Sequence, residues 1–370
     1  MVHARAALRL LLLALFACAS LGASCGQRAV TLMPGVVNDT GNRSLRRAIF
    51  SYAIDQLCTE MKKRSLPLRM SDPEPSIGRF FPTGCSVTEL PNENLYVQVV
   101  GHGYAWTNLT GRVGFEAAAQ VEYDHDFLVE GSSMYGYFRA VRTQSSTFTP
   151  LMFERSDGGV AGPALSLLGT ATSQALAPLG QRILAGQLAR GFTVVREGDA
   201  TVAFSLGVLE KGHRPVAPFD TSRSRALVLV NDRAELHAGQ RDFVGPFEIT
   251  EKGRALGVTA LVEGAPAADV LIVPQTVGDA WIAQYERYPQ TGPAAAPPLV
   301  EDSIFAAREG SPGAPATSDG VWRRAFPVPP GSYYVVFDHT ATAGRTSPVG
   351  TPGDPRAATV SYAVELLRAD

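Results

Sequence analysis

Between Phe115 and Val129 apolar and polar side chains alternate along the chain. Phe115, Ala117, Ala119, Val121, Tyr123, His125, Phe127 and Val129 fall on one side, and Glu116, Gln120, Glu122, Asp124 and Asp126 on the other. A period of two marks a strand with one buried face and one face in water. The run is longer than an ordinary strand. It therefore predicts either one strongly bent strand or two strands meeting at a tight corner, with the carboxylates outward.

The period changes on either side of it. Leu45, Ala48, Ile49, Tyr52, Ala53, Gln56 and Leu57 recur at helical spacing behind Asn42 or Ser44 as cap, and Pro67 lies beyond. This predicts an amphipathic helix stopped by the proline. Met134–Arg142 reads as an aromatic-rich strand, and Gly191–Arg196 with Thr201–Leu209 as a strand pair. The Ala/Leu/Gly-rich stretch 163–190 predicts two helices broken at Pro178. Residues 44–211 are thus expected to form an α+β domain behind an extended lead-in at 26–43.

Residues 212–224 (GHRPVAPFDTSRS) read as a linker. Beyond it, 225–370, short strands are separated by Gly/Pro turns: Ala226–Asn231, Phe243–Ile249, Ala255–Val262, Asp269–Val273, Ala280–Tyr285, Val321–Val328, Ser332–Asp338 and Thr359–Leu367. That rhythm predicts a β-sandwich, and the Pro/Ala/Gly-rich stretch 289–319 a long exposed loop. The expected class is α+β: an N-terminal antiparallel sheet with helices, followed by a C-terminal antiparallel β-sandwich.

Residues 1–25 have another character. Arg5 and Arg9 precede an apolar run from Leu10 to Leu21, and small residues follow to Ser24. This is the layout of a secretory signal peptide, and the run is too short to span a bilayer. Leu21-Gly-Ala-Ser-Cys25 resembles the lipobox of bacterial lipoproteins, although Gly22 stands where that family carries Leu, Val or Ile. The resemblance implies a lipid on Cys25 and, since Gly26 rather than Asp follows, an outer-membrane destination. Ordinary cleavage after Ala19 or Ala23, with release to the periplasm, is the alternative.

Two of the four cysteines then remain, Cys58 and Cys85. In an oxidising compartment such a pair favours one disulfide over a metal site, because no histidine pair lies near enough to complete a zinc set. In the sandwich, Phe326-Pro-Val-Pro-Pro-Gly331-Ser-Tyr-Tyr-Val-Val-Phe-Asp338 and Val360-Ser-Tyr-Ala-Val-Glu365 resemble the closing strands of GOLD-like and pre-peptidase C-terminal modules. That resemblance implies a non-catalytic interaction module.

Composition adds limits. A net charge of −2 gives no general attraction to nucleic acid, and 45% hydrophobic with 18% charged residues is globular. No G-x-S-x-G, H-E-x-x-H, Walker or C-x-x-C motif occurs, so no catalytic residue, cofactor or metal is assigned. Asp124-His125-Asp126 is the most suggestive cluster, but on a strand His125 points away from both carboxylates. Tyr96, Trp106, Tyr135, Tyr137 and Phe138 are candidates to line a groove for a lipid or other apolar ligand.

The reading is a non-catalytic envelope lipoprotein with an apolar-ligand domain, an interaction sandwich and an envelope protein or glycan as partner. The alternatives are a hydrolase assembled from dispersed residues such as His102, Asp124 and His125, and carbohydrate adhesion through Trp281, Tyr285 and Trp322 of the sandwich.

Overall fold

The structure, a computed structural model, describes residues 34–70, 74–107, 110–131, 133–154, 191–197, 201–206, 217–221, 226–289, 296–306, 320–340 and 357–368. Seven strands, β1 (Leu66–Leu68), β2 (Gly78–Glu89), β3 (Leu95–Thr107), β4 (Gly111–Glu130), β5 (Ser133–Phe153), β6 (Phe192–Glu197) and β7 (Thr201–Leu206), pair antiparallel in chain order. The long alternating run is one strand, β4, and not two. Its pairing with β5 slips between Gly114 and Phe115, between Gln120 and Val121, and between Glu122 and Tyr123. Such bulges bend a strand and increase its twist, so the meander curls into a half-barrel whose edge strands β1 and β7 approach each other.

The concave face takes up the first long helix. A short α1 (Pro34–Val37) leads to α2 (Arg43–Lys62), which buries Phe50, Leu57 and Met61 in one cluster with Val97, Val99, Ala117, Ala119 and Val121. Burying each large side chain contributes about 1.5–3 kcal/mol. Polar contacts set the helix's position. The Asn38 amide donates to the Val129 carbonyl at 2.7 Å and accepts from the Val129 amide at 2.8 Å. Arg46 pairs with Asp126, donates to the Phe127 carbonyl at 3.2 Å, and lies 4.2 Å over the Phe127 ring. Near its other end, the Cys58–Cys85 disulfide ties α2 to β2.

The C-terminal part is an antiparallel β-sandwich. Its strands are β8 (Leu227–Leu236), β9 (Gln240–Ile249), β10 (Arg254–Glu263), β11 (Ala267–Pro274), β12 (Val300–Phe305), β13 (Trp322–Val328), β14 (Gly331–His339) and β15 (Ala358–Arg368). They form two four-stranded sheets, ordered β13-β10-β15-β8 and β12-β11-β14-β9. Fully buried Leu256, Val258, Val335, Phe337, Val360 and Tyr362 lie in the core between them. The edge strands β12 and β13 are linked by Arg324 and Asp302 at 2.7 Å, and exposed Arg323, Arg324 and Pro327 blunt the β13 edge against further pairing.

The expected α+β class is incorrect. Strands make up 63% of the described residues and helices 15%, so the fold is mostly β. The balance shifts because β4 and β5 are far longer than ordinary strands, while the predicted helices at 163–190 lie outside the described residues. Three local expectations also change. Ala280–Tyr285 is part of a helix, α3 (Gln275–Arg287), because Val277, Trp281, Ile282 and Tyr285 repeat at helical spacing behind Pro274. The segment expected as a loop at 289–319 contains β12. Pro67 does not end α2, which stops at Lys62; it sits within β1, an edge strand where proline's missing donor is tolerated.

The two modules are joined by backbone as well as side chains. Ser76 forms a parallel bridge to Ala234, its amide donating to the Arg233 carbonyl and its carbonyl accepting from the Glu235 amide, both at 2.8 Å. Ser65 donates from its amide to the Gly245 carbonyl at 2.9 Å.

Candidate functional site

Polar side chains concentrate at this junction. Arg79 on β2 and Asp242 on β9 are 2% and 3% exposed. The guanidinium grips the carboxylate with both prongs, Nε to Oδ1 and Nη2 to Oδ2 at 2.6 Å each. Nη2 also donates to the Tyr362 hydroxyl at 2.6 Å. The Tyr104 hydroxyl donates to Asp242 Oδ1 at 3.0 Å and accepts from the Phe243 amide at 2.9 Å. Burial pulls the Arg79 pKa down, but Asp242 and the two tyrosines outweigh it and raise it well above its ordinary value. Burial and Asp242 push the Tyr104 hydroxyl well up, so it remains a donor.

A second set surrounds α3. Arg241 pairs with Asp338, and its amide donates to the Tyr285 hydroxyl at 2.9 Å. Arg112 lies 3.7 Å over the Tyr285 ring and donates to the Tyr288 and Pro289 carbonyls at 2.7 and 3.0 Å, just past the helix C-terminus, where positive charge is favoured. Gly114 of β4 permits this approach, since a Cβ there would meet the Glu286 carbonyl oxygen at 1.8 Å. Between these groups Trp106, Arg112, Glu235, Gln240, Asp242 and Tyr285 line a cavity of about 10 Å³, room for roughly one water.

One histidine at the junction is held as catalytic histidines are. His102 Nδ1 lies 2.8 Å from both carboxylate oxygens of Glu286, which is 3% exposed, while the imidazole is 34% exposed and rests on the Phe81 ring. The bond to Glu286 raises the histidine's pKa, and burial raises that of Glu286, partly offset by the histidine. The pair therefore holds a proton more tightly than the unfolded chain does. Among the described residues no Ser, Thr or Cys side chain is hydrogen-bonded to His102, so these residues form a His–carboxylate pair and not a triad.

The other residues singled out from the sequence disperse. His125 stacks on Phe50 with ring centroids 3.7 Å apart, its Nδ1 buried without a hydrogen-bond partner among the described residues. Asp124 bonds the His125 amide and Asp126 pairs with Arg46, so the cluster does not converge. No group of three potential metal ligands occurs among the described residues. Of the groove candidates, Phe138 joins the core under α2, whereas Tyr135 and Tyr137 pack with Val195 in a separate cluster. Tyr96 bonds Gln120 at 2.8 Å, and Trp106 stacks on His237 at the junction. These five do not line one groove. Trp281 and Tyr285 belong to the buried junction cluster and Trp322 to the sandwich core. Cys25 lies outside the described residues. The residues missed were Arg79, Asp242 and Glu286, each far in sequence from its partner.

The two histidines predict opposite pH dependences. His102 is raised, so its contribution to stability is complete below pH 6.5 and is lost as pH rises through its native value. His125 is lowered by burial, so its contribution is complete above pH 6.5 and is lost as pH falls through its native value. Urea midpoints measured from about pH 5 to 8 should show the alkaline slope reduced in His102→Gln and the acid slope reduced in His125→Phe. Parallel profiles for wild type and both variants would contradict the assignment.

No family model matches the chain, and no curated protein matches it. Among solved structures, one similarity is to the structure of infectious bursal disease virus, Gx strain, at 9% identity over 83% of this chain and 68% of that one, with a TM-score of 0.20. Likeness at that level carries no argument about fold or activity.

Proposed function

We propose that the chain is a non-catalytic cell-envelope lipoprotein that engages its partners through its surface, as one stiff β body. The observation that carries this reading is the filled junction. Two-module proteins commonly bind small molecules in the cleft between modules, and here the Arg79–Asp242 network and α3 occupy that place, leaving space for about one water. The Cys58–Cys85 disulfide suits an oxidising compartment. The lipobox-like Leu21–Cys25 segment supplies the tether, and the GOLD-like closing strands favour interaction over catalysis. An enclosed apolar ligand is less favoured, because α2 packs Phe50, Leu57 and Met61 onto the concave face that an acyl chain would need.

Cell fractionation tests the tether. Wild type is expected with the membranes and Cys25→Ser in the soluble exported fraction; wild type found soluble, or Cys25→Ser retained on membranes, would sink the lipid anchor. Native mass spectrometry of the exported Cys25→Ser chain is expected to give the bare protein mass. A co-purifying lipid would overturn surface binding in favour of ligand carriage.

A further inference from the structure

The outer face of β2–β5 has an unusual composition. Strand register sets Ser86, Gln98, Gln120 and Ser145 in one row across four strands, with Thr147 in the adjacent row and Tyr96 on the other side. All six are exposed or half-buried. Neither that row nor the adjacent one, Gly84, Val100, Ala118 and Thr147, contains a charge. Charges enter only in the flanking rows, with Glu122 and Arg142 on one side and Glu116 on the other. Solvent-facing surfaces are ordinarily about 25–35% charged, so this patch departs from what solubility alone asks of a sheet.

The side chains here are also tied together in a line. The Ser86 hydroxyl donates to Gln98 Oε1 at 3.2 Å, Gln98 Nε2 donates to the Tyr96 hydroxyl at 3.4 Å, and that hydroxyl donates to Gln120 Oε1 at 2.8 Å. Two amides and a phenol are thereby held in fixed rotamers while the Gln120 amide N–H groups, the second Gln98 N–H and the Ser145 hydroxyl keep donors to spare. Ordered groups lose less entropy on binding than free ones.

We propose that this face binds a neutral polysaccharide. Amides and hydroxyls offer donors and acceptors side by side, as sugar hydroxyls do, and the Tyr96 ring gives the C–H face of a sugar a place to rest. A charged ligand would find no counter-charge in the central rows. An apolar one would bury amides without partners, at a cost of about 1–3 kcal/mol each. Strands about 4.8 Å apart repeat this chemistry across the sheet, which matches a repeating polymer better than a single small ring. The inference rests on the surface-binding reading above but not on the lipid tether.

The test uses the purified exported chain on cellulose, chitin and starch, followed by calorimetry with the tetrasaccharide of whichever polymer retains it. Retention on at least one polymer, insensitive to high salt, is expected. Gln98→Ala/Gln120→Ala should weaken it about tenfold or more, the loss of two or more hydrogen bonds. Ser145→Arg/Thr147→Arg should block it while leaving the Ser86-to-Gln120 line and the melting temperature unchanged. The proposal is overturned by absence of retention on all three polymers, by retention that salt abolishes, or by retention that both variants leave intact. Concentration-dependent dimerisation removed by the arginine variant would overturn it too, by making a second copy the occupant. A co-purifying lipid would count against the surface-binding function and leaves this readout separate.

Discussion

Asp242→Asn should lower the stability of the protein by about 3–5 kcal/mol, the usual cost of stranding a buried charge. The substitution keeps the shape of the side chain but removes its charge and turns one of the two acceptor oxygens that hold Arg79 into an N–H donor. Arg79 then remains 2% exposed, held between Tyr104 and Tyr362 with no anion to face. The pair itself is a weaker source of stability than that number suggests, because bringing both ions out of water offsets much of their attraction. The double variant Arg79→Met/Asp242→Leu should therefore be more stable than Asp242→Asn alone. Equilibrium urea unfolding of wild type, Asp242→Asn and the double variant measures this. A loss under about 1 kcal/mol for Asp242→Asn would mean that water reaches the pair.

Removing the Cys58–Cys85 bridge is the second large expectation. The bridge closes a loop with a sequence separation of 27, for which the chain-entropy model gives about 3–4 kcal/mol. Cys58→Ala/Cys85→Ala should lose that amount relative to oxidised wild type, and reduced wild type should match the variant closely. The loss should be localised as well. Arg46 and Phe50 still hold one half of α2 to β4, whereas the segment around Cys58 has lost its tie to β2. Amide exchange should accelerate most toward the Lys62 end of the helix. Uniform acceleration across the half-barrel would show that the bridge stabilises the whole sheet through the unfolded state alone.

Short-range features were legible in the sequence. The alternation from Phe115 to Val129 located β4, its direction of burial, and the inward turn of His125 away from Asp124 and Asp126. Helical spacing located α2, and cysteine arithmetic paired Cys58 with Cys85. The bend in β4 was foreseen only as a choice, because a bulge depends on the partner strand's register and β5 carries no mark of it. The α3 segment misled because Trp281, Ala283 and Tyr285 satisfy a period of two while Val277, Trp281, Ile282 and Tyr285 satisfy a period near four. The junction was invisible for another reason. Arg79 and Asp242 are 163 positions apart, and nothing in the local sequence of either tells a buried ion from a solvated one. His102 and Glu286 are 184 apart, and only the packing of α3 against β3 and β4 brings them together.

The Ser76 bridge to Ala234 bears on how the molecule comes apart. Ser65 and Ser76 precede β2 and Arg79 lies at its start, yet each bonds to a residue of β8 or β9 in the sandwich. Melting either module would strip partners from the other, leaving an ion or a backbone amide unsatisfied. Each module has a hydrophobic core of its own, and a third buried cluster joins Phe81 and Tyr104 of the first to Phe243, Trp281 and Tyr285 of the second, so a calorimeter should record a single endotherm where the sequence suggests two domains.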